Sequence, residues 1–281
     1  MSDKIGPLFA WTGGKGKMIK RYGPYFPDAG EYDTYVEPFF GGGAIFLHLK
    51  STRPNLRCYI NDVNPDIMRI YGCVKNNLID FTKKLNDLED QFLPLKHEDR
   101  RKFYYALREE HAWDYSKWNM VEETAVLYFL MKTGYMGNWQ INKNTNNRFG
   151  AACGMCDQKD GVYDRKNINA WSAYLQDTEL SVGNWKDCVD KVEPDRAFFM
   201  FDPPYRGGFV HYHQTFTDDD QIALLDSCSN IQKNGGKVFF ANRELDDGFW
   251  HNHEAGLKKD GLDIVWFDVI YTHGALSLIH I

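Results

Sequence analysis

The residues best suited to chemistry are the consecutive Asp202, Pro203, Pro204 and Tyr205. They follow the run 197–201, Ala-Phe-Phe-Met-Phe, which predicts a buried β-strand because it is short, apolar and bounded by proline. Two prolines end the strand and restrict φ, so the backbone that follows is stiff. The pattern predicts a carboxylate, prolyl carbonyls and an aromatic ring at the carboxyl edge of a sheet, where open α/β sheets bind ligands.

These four residues suit the methylation of an amine whose lone pair is conjugated with a ring, such as N6 of adenine. The Asp202 carboxylate and the Pro203 carbonyl can each accept one N–H bond and draw the nitrogen toward a nucleophilic, tetrahedral shape. The Tyr205 ring offers a stacking face for a base. A strand-ending loop with a capping aspartate has the same local pattern, so the other motifs must decide between the two interpretations.

Two glycine-rich loops lie near the N-terminus. In the first, Trp11-Thr12-Gly13-Gly14-Lys15, the glycines let the backbone approach a ligand, and Lys15 could reach a carboxylate. The loop lacks the GxxxxGK[ST] spacing of a P-loop, and a simple turn with solvated lysines is the alternative. The second loop, Phe40-Gly41-Gly42-Gly43, stands between a predicted strand and an apolar helix and resembles half of a nucleotide-binding βαβ unit.

Asp62 closes the next apolar run, about 20 residues beyond the second glycine loop, where an acidic residue is expected to bind ribose hydroxyls. It could also cap the helix that starts at Pro65, and one side chain could serve both roles.

The stretch 133–150 is rich in Asn and Gly, and no Asp or Glu occurs between Glu123 and Asp157. Two short runs around an Asn-rich tip predict a β-hairpin. Its basic and amide side chains suit phosphate contact and the reading of base edges. A polar surface loop is the alternative. The candidate DNA-contacting residues are Asn138, Trp139, Gln140, Lys143 and Arg148.

Composition restricts the class of protein. The net charge of −6 is not that of a protein that coats DNA non-specifically, although the charge of the contact face alone matters. Six cysteines in 281 residues are too few for a disulfide scaffold, and the N-terminus lacks signal-peptide character, which predicts a cytoplasmic protein without a membrane segment. Cys153 and Cys156 form half of a zinc motif, and we expect no metal.

Strands and helices alternate at both ends of the chain, which predicts a mostly parallel sheet. Between them, 67–130 reads as helical. We further predict a strand that ends near Trp185, a lid-like loop over 206–216, and a helix capped by Thr217. After Gly274 too little chain follows to complete an edge strand, so we expect an unnatural end to the reading frame there.

Four stretches occur in one order: the TGGK loop, the EPFFGGG loop, the Asn-rich hairpin and DPPY. In this order the chain resembles the Dam-like (D12 class) family of DNA adenine-N6 methyltransferases, over about residues 8–273. The resemblance implies an α/β fold with a Rossmann-like S-adenosylmethionine-dependent methyltransferase sheet and an inserted helical target-recognition domain that carries a β-hairpin. The implied domains are 1–66 with 175–281 for catalysis and 67–174 for recognition.

The resemblance also implies roles. S-adenosyl-L-methionine would be bound by Trp11, Lys15, Phe40, Gly41, Asp62 and Asp202. The catalytic residues would be Asp202, Pro203, Pro204 and Tyr205, with the target adenine flipped out of double-stranded DNA and stacked on Tyr205. The reaction needs no metal, and no obligatory protein partner is evident. A stand-alone or restriction-associated enzyme of a phage or prokaryote fits this pattern.

One position departs from the family members that read GATC. They carry an arginine three positions after the Gly-Tyr-x-Gly run, where this chain has Gln140. Arginine suits guanine and glutamine suits adenine, so we predict a target other than GATC or relaxed specificity.

Other interpretations remain open at this point. The same chemistry could act on cytosine N4, on RNA adenine or on a protein glutamine, although related enzymes for cytosine N4 and glutamine usually carry Ser or Asn in place of Asp202. The chain could also be a DNA-binding relative that has lost catalysis.

Overall fold

A computed structural model describes residues 5–137, 139–207, 216–271 and 274–280 of the 281-residue chain. The strands are β1 (Thr34–Glu37), β2 (Arg57–Asp62), β3 (Ile141–Asn142), β4 (Arg148–Phe149), β5 (Thr178–Val182), β6 (Ala197–Phe201), β7 (Lys237–Arg243), β8 (Val265–Tyr271) and β9 (Gly274–His280). The helices are α1 (Ile19–Tyr22), α2 (Ala44–Thr52), α3 (Pro65–Asn76), α4 (Leu78–Phe92), α5 (His97–Trp113), α6 (Met120–Thr133), α7 (Arg165–Leu175), α8 (Trp185–Val189), α9 (Asp218–Lys233) and α10 (Phe249–Lys259).

Within these ranges, seven strands form one sheet in the order β5-β2-β1-β6-β7-β9-β8. The first five are mutually parallel, and β9 runs antiparallel to both β7 and β8. From β1 the chain moves outward to β2 and β5, then crosses to the other side of β1 for β6 and β7. The strand order therefore reverses between β1 and β6, and such a reversal creates the crevice where open α/β sheets bind ligands.

The strand β6 is central because all five of its residues are buried, as its continuous apolar sequence predicts. Its alternating side chains pack on both faces of the sheet. Phe199 and Phe201 join the apolar core formed with α8, α9 and α10. Phe198 faces the opposite layer, where its ring centroid lies 5.6 Å from that of Phe26. The two packed faces fix the register of the strand that leads to Asp202.

The chain divides into two compact units. The first comprises Met1–Lys17, Gly41–Asn55 and Pro65–Asp177, and the second comprises Met18–Phe40, Leu56–Asn64 and Thr178–Ile281. The second unit contains the large sheet. The first contains α2 to α7 and the β3–β4 hairpin, and the assignment of residues 67–174 to target recognition stays a prediction.

Aromatic side chains hold the first unit together. Phe81 packs on Tyr128 and Phe92 packs on Phe129, with ring centroids 5.6 and 5.3 Å apart. The Tyr128 hydroxyl donates to the Leu8 carbonyl at 2.9 Å, which fastens the N-terminal segment to α6. Helices with few Gly or Pro and apolar residues at three- and four-residue spacing thus form a packed core, as their sequence indicates.

Several local predictions are confirmed. A hairpin stands where the Asn-rich stretch predicts it, with Ile141 opposite Phe149. Thr217 caps α9, and its side chain and that of Asp220 exchange hydrogen bonds with each other's backbone N–H groups. The predicted lid falls mainly on 208–215, outside the described residues, as do the histidines 211 and 213.

The structure corrects two local predictions. The strand expected to end near Trp185 is present as β5 but already ends at Val182, and Trp185 begins α8 because Asn184 caps that helix by accepting from the Lys186 N–H. Residues after Gly274 do complete a strand. β9 pairs along its length with β8, and its residues 278–280 also pair with Ala241–Arg243 of β7, so this last part has strand partners on both sides.

None of the helices in the described part of the chain combines the length and the apolar character needed to span a bilayer.

Candidate active site

Polar residues converge at the carboxyl edge of the parallel sheet in the second unit. β1 ends at Glu37, β2 ends at Asn61 and Asp62, and Asp202 directly follows β6. These three strands are adjacent in the order β2-β1-β6 and run in the same direction, so their carboxyl ends meet. The residues predicted from DPPY and from the ribose-binding position therefore lie at the same edge, on either side of the strand-order reversal.

The tetrapeptide 202–205 leaves β6 as an irregular segment. Pro203 is buried, whereas Asp202, Pro204 and Tyr205 keep part of their surface accessible. The buried strand before it and the restricted φ of two prolines hold the segment in place. A partly accessible carboxylate and ring on a stiff backbone can contact a ligand at little cost in conformational entropy.

Asn61 and Asp62 organise the loops at the end of β2. The Asn61 amide donates to the carbonyls of Pro38 and Gly183 at 3.1 and 3.0 Å, which ties together the loops after β1 and β5. Asp62 is 8% exposed and accepts from the Asn64 N–H at 2.9 Å. Its carboxylate is thus fixed in a local turn just before α3.

Phe40 and Glu37 lie in the loop that follows β1. The Phe40 N–H donates to the Asn61 carbonyl at 2.9 Å, and its side chain is buried. Glu37 is buried as well and accepts from the Tyr35 hydroxyl at 2.9 Å. Burial, followed by the nearby Glu37 charge, raises the pKa of Tyr35 well above its usual range. Sequence reasoning did not identify Glu37 as a site residue, although a carboxylate between a buried strand and a Pro-Phe-Phe-Gly loop was a usable signal.

The glycine turn is built in the first unit around Trp11. A Cβ on Gly41 would lie 2.6 Å from the indole Nε1, and one on Gly42 would lie 3.0 Å from the Trp11 Cβ. Gly41 also has a φ of +48°. The Tyr71 hydroxyl donates to the Gly41 carbonyl at 3.0 Å. The structure thus brings together Trp11 and Gly41, both of which the resemblance assigns to cofactor binding, and a side chain on Gly41 would displace the indole.

Lys15 is 8% exposed, and its ammonium donates to the Gly13 carbonyl at 2.8 Å. The lysine is therefore held inside its own loop, which excludes the alternative of a freely solvated side chain. A contact with a ligand stays a prediction.

The hairpin residues fall into exposed and anchored groups. Gln140 and Lys143 are exposed. Asn142 accepts from the Asn144 N–H at 2.9 Å, and the buried Thr145 hydroxyl donates at 3.0 Å toward both the Asn142 and the Arg148 carbonyls. The tip is therefore ordered by its own side chains, while Lys143 and Gln140 are available for contact.

Arg148 is held by an internal ion cluster. Its guanidinium donates to Glu123 on α6 and lies 3.9 Å from the Tyr115 ring centroid. Glu123 also accepts from Arg69 at 2.7 Å and lies 3.3 Å from the Nε2 of the buried His111. Burial raises the pKa of Glu123, but the bond from His111 and the charges of Arg69 and Arg148 outweigh burial and lower it to about 2. Arg148 was a candidate from the sequence, whereas Glu123, Arg69 and His111 were not.

Trp139 is buried rather than presented at the surface. It is 8% exposed, and its ring centroid lies 6.3 Å from that of Trp11. Asn138 lies outside the described residues. The roles of both in DNA binding stay predictions.

Cys153 and Cys156 are both buried, with their sulfur atoms 2.9 Å apart. Burial, with the hydrogen bond between the two thiols second, raises the pKa of the Cys153 thiol to about 12. Among the described residues, no group of three or more His, Cys, Asp or Glu side chains is arranged to hold a metal ion.

A five-stranded parallel array whose strand order reverses beside β1, with an acidic residue at the end of β2 and DPPY after β6, defines a Rossmann-like methyltransferase. A family model for the D12 class N6 adenine-specific DNA methyltransferases matches residues 11–256. The chain belongs to this family of DNA adenine methyltransferases.

Relatives along most of the chain agree with this assignment. The chain is 30% identical over 266 residues to the Type II methyltransferase M.MjaIII of Methanocaldococcus jannaschii, covering 91% of each chain. It is 26% identical to the Type II methyltransferase M1.LlaDCHI of Lactococcus lactis, covering 84% of this chain and 80% of the relative. It is 25% identical to the DNA adenine methylase of Vibrio cholerae, covering 83% and 80%.

Proposed function

We propose that the protein transfers a methyl group from S-adenosyl-L-methionine to N6 of a flipped adenine in double-stranded DNA. The observation that carries the proposal is the position of Asp202 directly after the central strand β6, at the same sheet edge as Asp62. Membership in the adenine-N6 family supports the choice of base.

The residues fit S-adenosyl-L-methionine by their chemistry. Asp62 is a fixed, nearly buried carboxylate at the end of β2, suited to ribose hydroxyls. Gly41 and its neighbours form a buried turn before the N-terminus of α2, where the helix dipole favours a carboxylate. Trp11, Lys15 and Phe40 complete the proposed cofactor-binding set. When bound, the cofactor supplies an electrophilic methyl carbon.

The tetrapeptide polarises the target amine. Asp202 and the Pro203 carbonyl each accept one hydrogen bond from the N6 amine, which moves electron density onto the nitrogen. As the N–C bond forms and the methyl–sulfur bond breaks, N6 releases one proton along its hydrogen bond to Asp202, from which it passes to solvent. Because both acceptors are attached to a stiff backbone, they need little reorganisation during the reaction. Tyr205 stacks on the adenine once the base has left the duplex. Pro204 keeps the segment rigid.

The hairpin supplies contacts with DNA. Lys143 contacts phosphate, and Gln140 reads a base edge; the exposure of both side chains supports this. Asn138, Trp139 and Arg148 complete the proposed set. The ion pair of Arg148 with Glu123 favours a role in holding the hairpin, through which its effect on DNA binding would be indirect. A glutamine at position 140 favours a target other than GATC. We propose that the enzyme works in the cytoplasm of a prokaryotic or phage-infected cell without an obligatory protein partner.

The test is transfer of labelled methyl groups by the purified protein to duplex DNA, single-stranded DNA, RNA and protein, followed by nuclease digestion and mass spectrometry. We expect N6-methyladenine in the duplex. Detection of N4-methylcytosine, methylated RNA or methylglutamine instead would show that the substrate is cytosine, RNA or protein. Intact DNA binding without methyl transfer would indicate an inactive relative. Long-read sequencing of DNA from expressing cells then gives the target, and strict GATC methylation would contradict the role assigned to Gln140.

A further inference from the structure

The backbone on both sides of Tyr205 is anchored by two buried amide side chains. Gln221 on α9 donates from Nε2 to the Pro204 carbonyl at 3.0 Å. Asn242 on β7 accepts at Oδ1 from the Arg206 N–H at 3.4 Å. Both amide residues are 0% exposed, although they come from different elements and lie 21 positions apart. The residue assigned to base stacking is therefore held between two fixed points.

The two amides are also bonded to each other. Asn242 donates from Nδ2 to the Gln221 Oε1 at 2.9 Å, and its own Oδ1 accepts from the Arg243 N–H at 2.8 Å. A carbonyl at one end of this chain of bonds can only accept, and the N–H groups at the other end can only donate. These partners determine which atom of each amide is the oxygen and which is the nitrogen, so every bond in the chain has one possible donor.

Anchoring the Pro204 carbonyl also restricts the Pro203 carbonyl, one of the two proposed acceptors for the amine. The two carbonyls are separated by a planar peptide bond, by φ of Pro204 and by ψ of Pro204. The pyrrolidine ring sets φ and the peptide bond is planar. Only ψ is left free, and the bond from Gln221 limits it. A change at Gln221 therefore reaches an acceptor carbonyl through a single torsion.

At the other end of the segment, Arg206 is held in place by ion pairs. Its guanidinium is 8% exposed, donates to Asp218 at 2.7 and 2.9 Å and to Asp247 at 3.0 and 2.8 Å, and stacks 3.9 Å from the Phe249 ring centroid. The Arg206 carbonyl accepts from the Arg243 guanidinium at 2.6 Å. The bonds from Arg206 to Asp218 and Asp247 hold the pKa of each carboxyl below its usual range.

We infer that Gln221, supported by Asn242, is a positioning residue for methyl transfer, which orients the Pro203 carbonyl and the Tyr205 ring. This inference rests on the proposed function. Apolar side chains would fill the same space without the cost of burying two amides. The presence of the two amides is therefore explained by the backbone groups that they bind. Its bonds end on Pro204 and Arg206, the residues on either side of Tyr205.

The test compares Gln221→Glu and Gln221→Met with the wild type. Glutamate keeps the size and the acceptor but, when ionised, cannot donate to the Pro204 carbonyl. Methionine keeps the length, carries no charge and loses both bonds. At pH about 8, with the introduced carboxyl ionised, we expect kcat per cofactor-binding site to fall about 100-fold in each, as for a displacement of about 1 Å at a reacting group. The KM values for DNA and for S-adenosyl-L-methionine should change much less.

The matched control is Gln232→Glu, the same chemical change at a half-buried position near the other end of α9. It should keep wild-type kcat. A purely structural role for Gln221 predicts a lower melting temperature and fewer cofactor-binding sites, with wild-type kcat per remaining site, and that result would overturn the inference.

A pH profile adds a second readout. A protonated glutamic acid at position 221 donates to Pro204 and accepts from Asn242 as glutamine does, and burial favours the protonated form. The ratio of the Gln221→Glu kcat to the wild-type kcat should therefore rise as the pH falls from about 8 to about 5.5, whereas the ratio for Gln221→Met should stay flat. Arg206, its partners Asp218 and Asp247, and Arg243 are present in all three proteins, so their own titration contributes equally to the three profiles. A flat ratio for both variants would contradict the inference.

The wild-type measurement separates the two hypotheses. If the wild-type protein transfers no methyl group to DNA, the proposed function fails. If the wild type is active and both Gln221 variants match its kcat, only the positioning role fails.

Discussion

The two loops that carry the proposed chemistry are held by different forces. The tetrapeptide 202–205 relies on two prolines, a fully buried strand and a pair of neutral amides, with Arg206 as a charged anchor at its end. The hairpin has only two residues in each strand and is fastened by the charged Arg148 and Glu123. Neutral hydrogen bonds depend little on pH and salt, whereas an ion pair depends on the charge of both partners. The positions of the two acceptors should therefore depend little on pH and salt, whereas the stability of the hairpin should depend on pH.

The largest expected effect comes from removing the acceptor carboxylate. Asp202→Ala should lower kcat by at least about 100-fold, because an electrostatic group aimed at the reacting atom is lost. DNA affinity should stay near the wild-type value. Labelled methyl transfer and fluorescence anisotropy measure the two quantities, with Asp219→Ala, an exposed carboxylate at the start of α9, as the control. Wild-type turnover in Asp202→Ala would exclude the carboxylate from the chemistry.

Removing the buried carboxylate of the hairpin anchor should chiefly affect stability. Glu123→Gln leaves three cationic or polar partners without their acceptor charge, and should cost on the order of 3 kcal/mol of unfolding free energy. Urea unfolding measures this cost. Glu109→Gln, whose pair with Arg108 is at the surface, should cost less than about 1 kcal/mol.

The Glu123 pair also predicts a pH dependence. The folded-state pKa of about 2 lies below the value of about 4.5 for an unperturbed glutamate. Its contribution is therefore fully present above pH 4.5 and is lost as the pH falls toward 2. The stability difference between wild type and Glu123→Gln should shrink over that window, and a constant difference would show that charge is not what fastens the hairpin.

A change in the exposed part of the hairpin should alter specificity and spare the fold. Gln140→Arg should shift preference toward guanine at the contacted position by about 1–3 kcal/mol, since arginine pairs with guanine O6 and N7. Long-read sequencing of methylated DNA measures the shift. Gln91→Arg on α4 adds the same charge elsewhere, and an equal shift in that control would show that charge alone is responsible.

The smallest effect is expected at Lys143. Lys143→Ala should weaken binding uniformly across sequences and reduce the magnitude of the slope of log K against log salt by about 0.9, the value for one phosphate contact. The exposed Lys83→Ala on α4 is the control. An unchanged slope would show that Lys143 does not contact phosphate, and the hairpin would then make fewer direct contacts with DNA than proposed.

Local patterns predicted the elements of the site well. The run before Asp202 could only be buried, Thr217 with Asp220 formed the expected cap, and the Asn-rich stretch formed a hairpin. Each depends on neighbours within a few residues, where propensity and turn chemistry act directly.

The anchors could not be predicted because their partners are distant in sequence. Arg148 pairs with a residue 25 positions away, and Gln221 bonds across 17 positions to Pro204. Gln221 shares the buried face of α9 with Leu224, Leu225 and Cys228, so helical spacing indicates its burial, but only the fold reveals which backbone group its amide binds. The last strand was misjudged for a similar reason, since β9 is stabilised by pairing on both sides rather than by an edge-strand alternation of its own.

The pairing of β9 has a consequence for biosynthesis. Asn242 and Arg243, which anchor the segment around Tyr205, pair in the sheet with Ile279 and Leu278. β9 leaves the ribosome after every other described strand, yet it lies between β7 and β8. The nascent chain therefore exposes an unpaired β7 flank until β9 has been synthesised and has paired, so the sheet neighbour of Asn242 and Arg243 is the last of the described strands to be made.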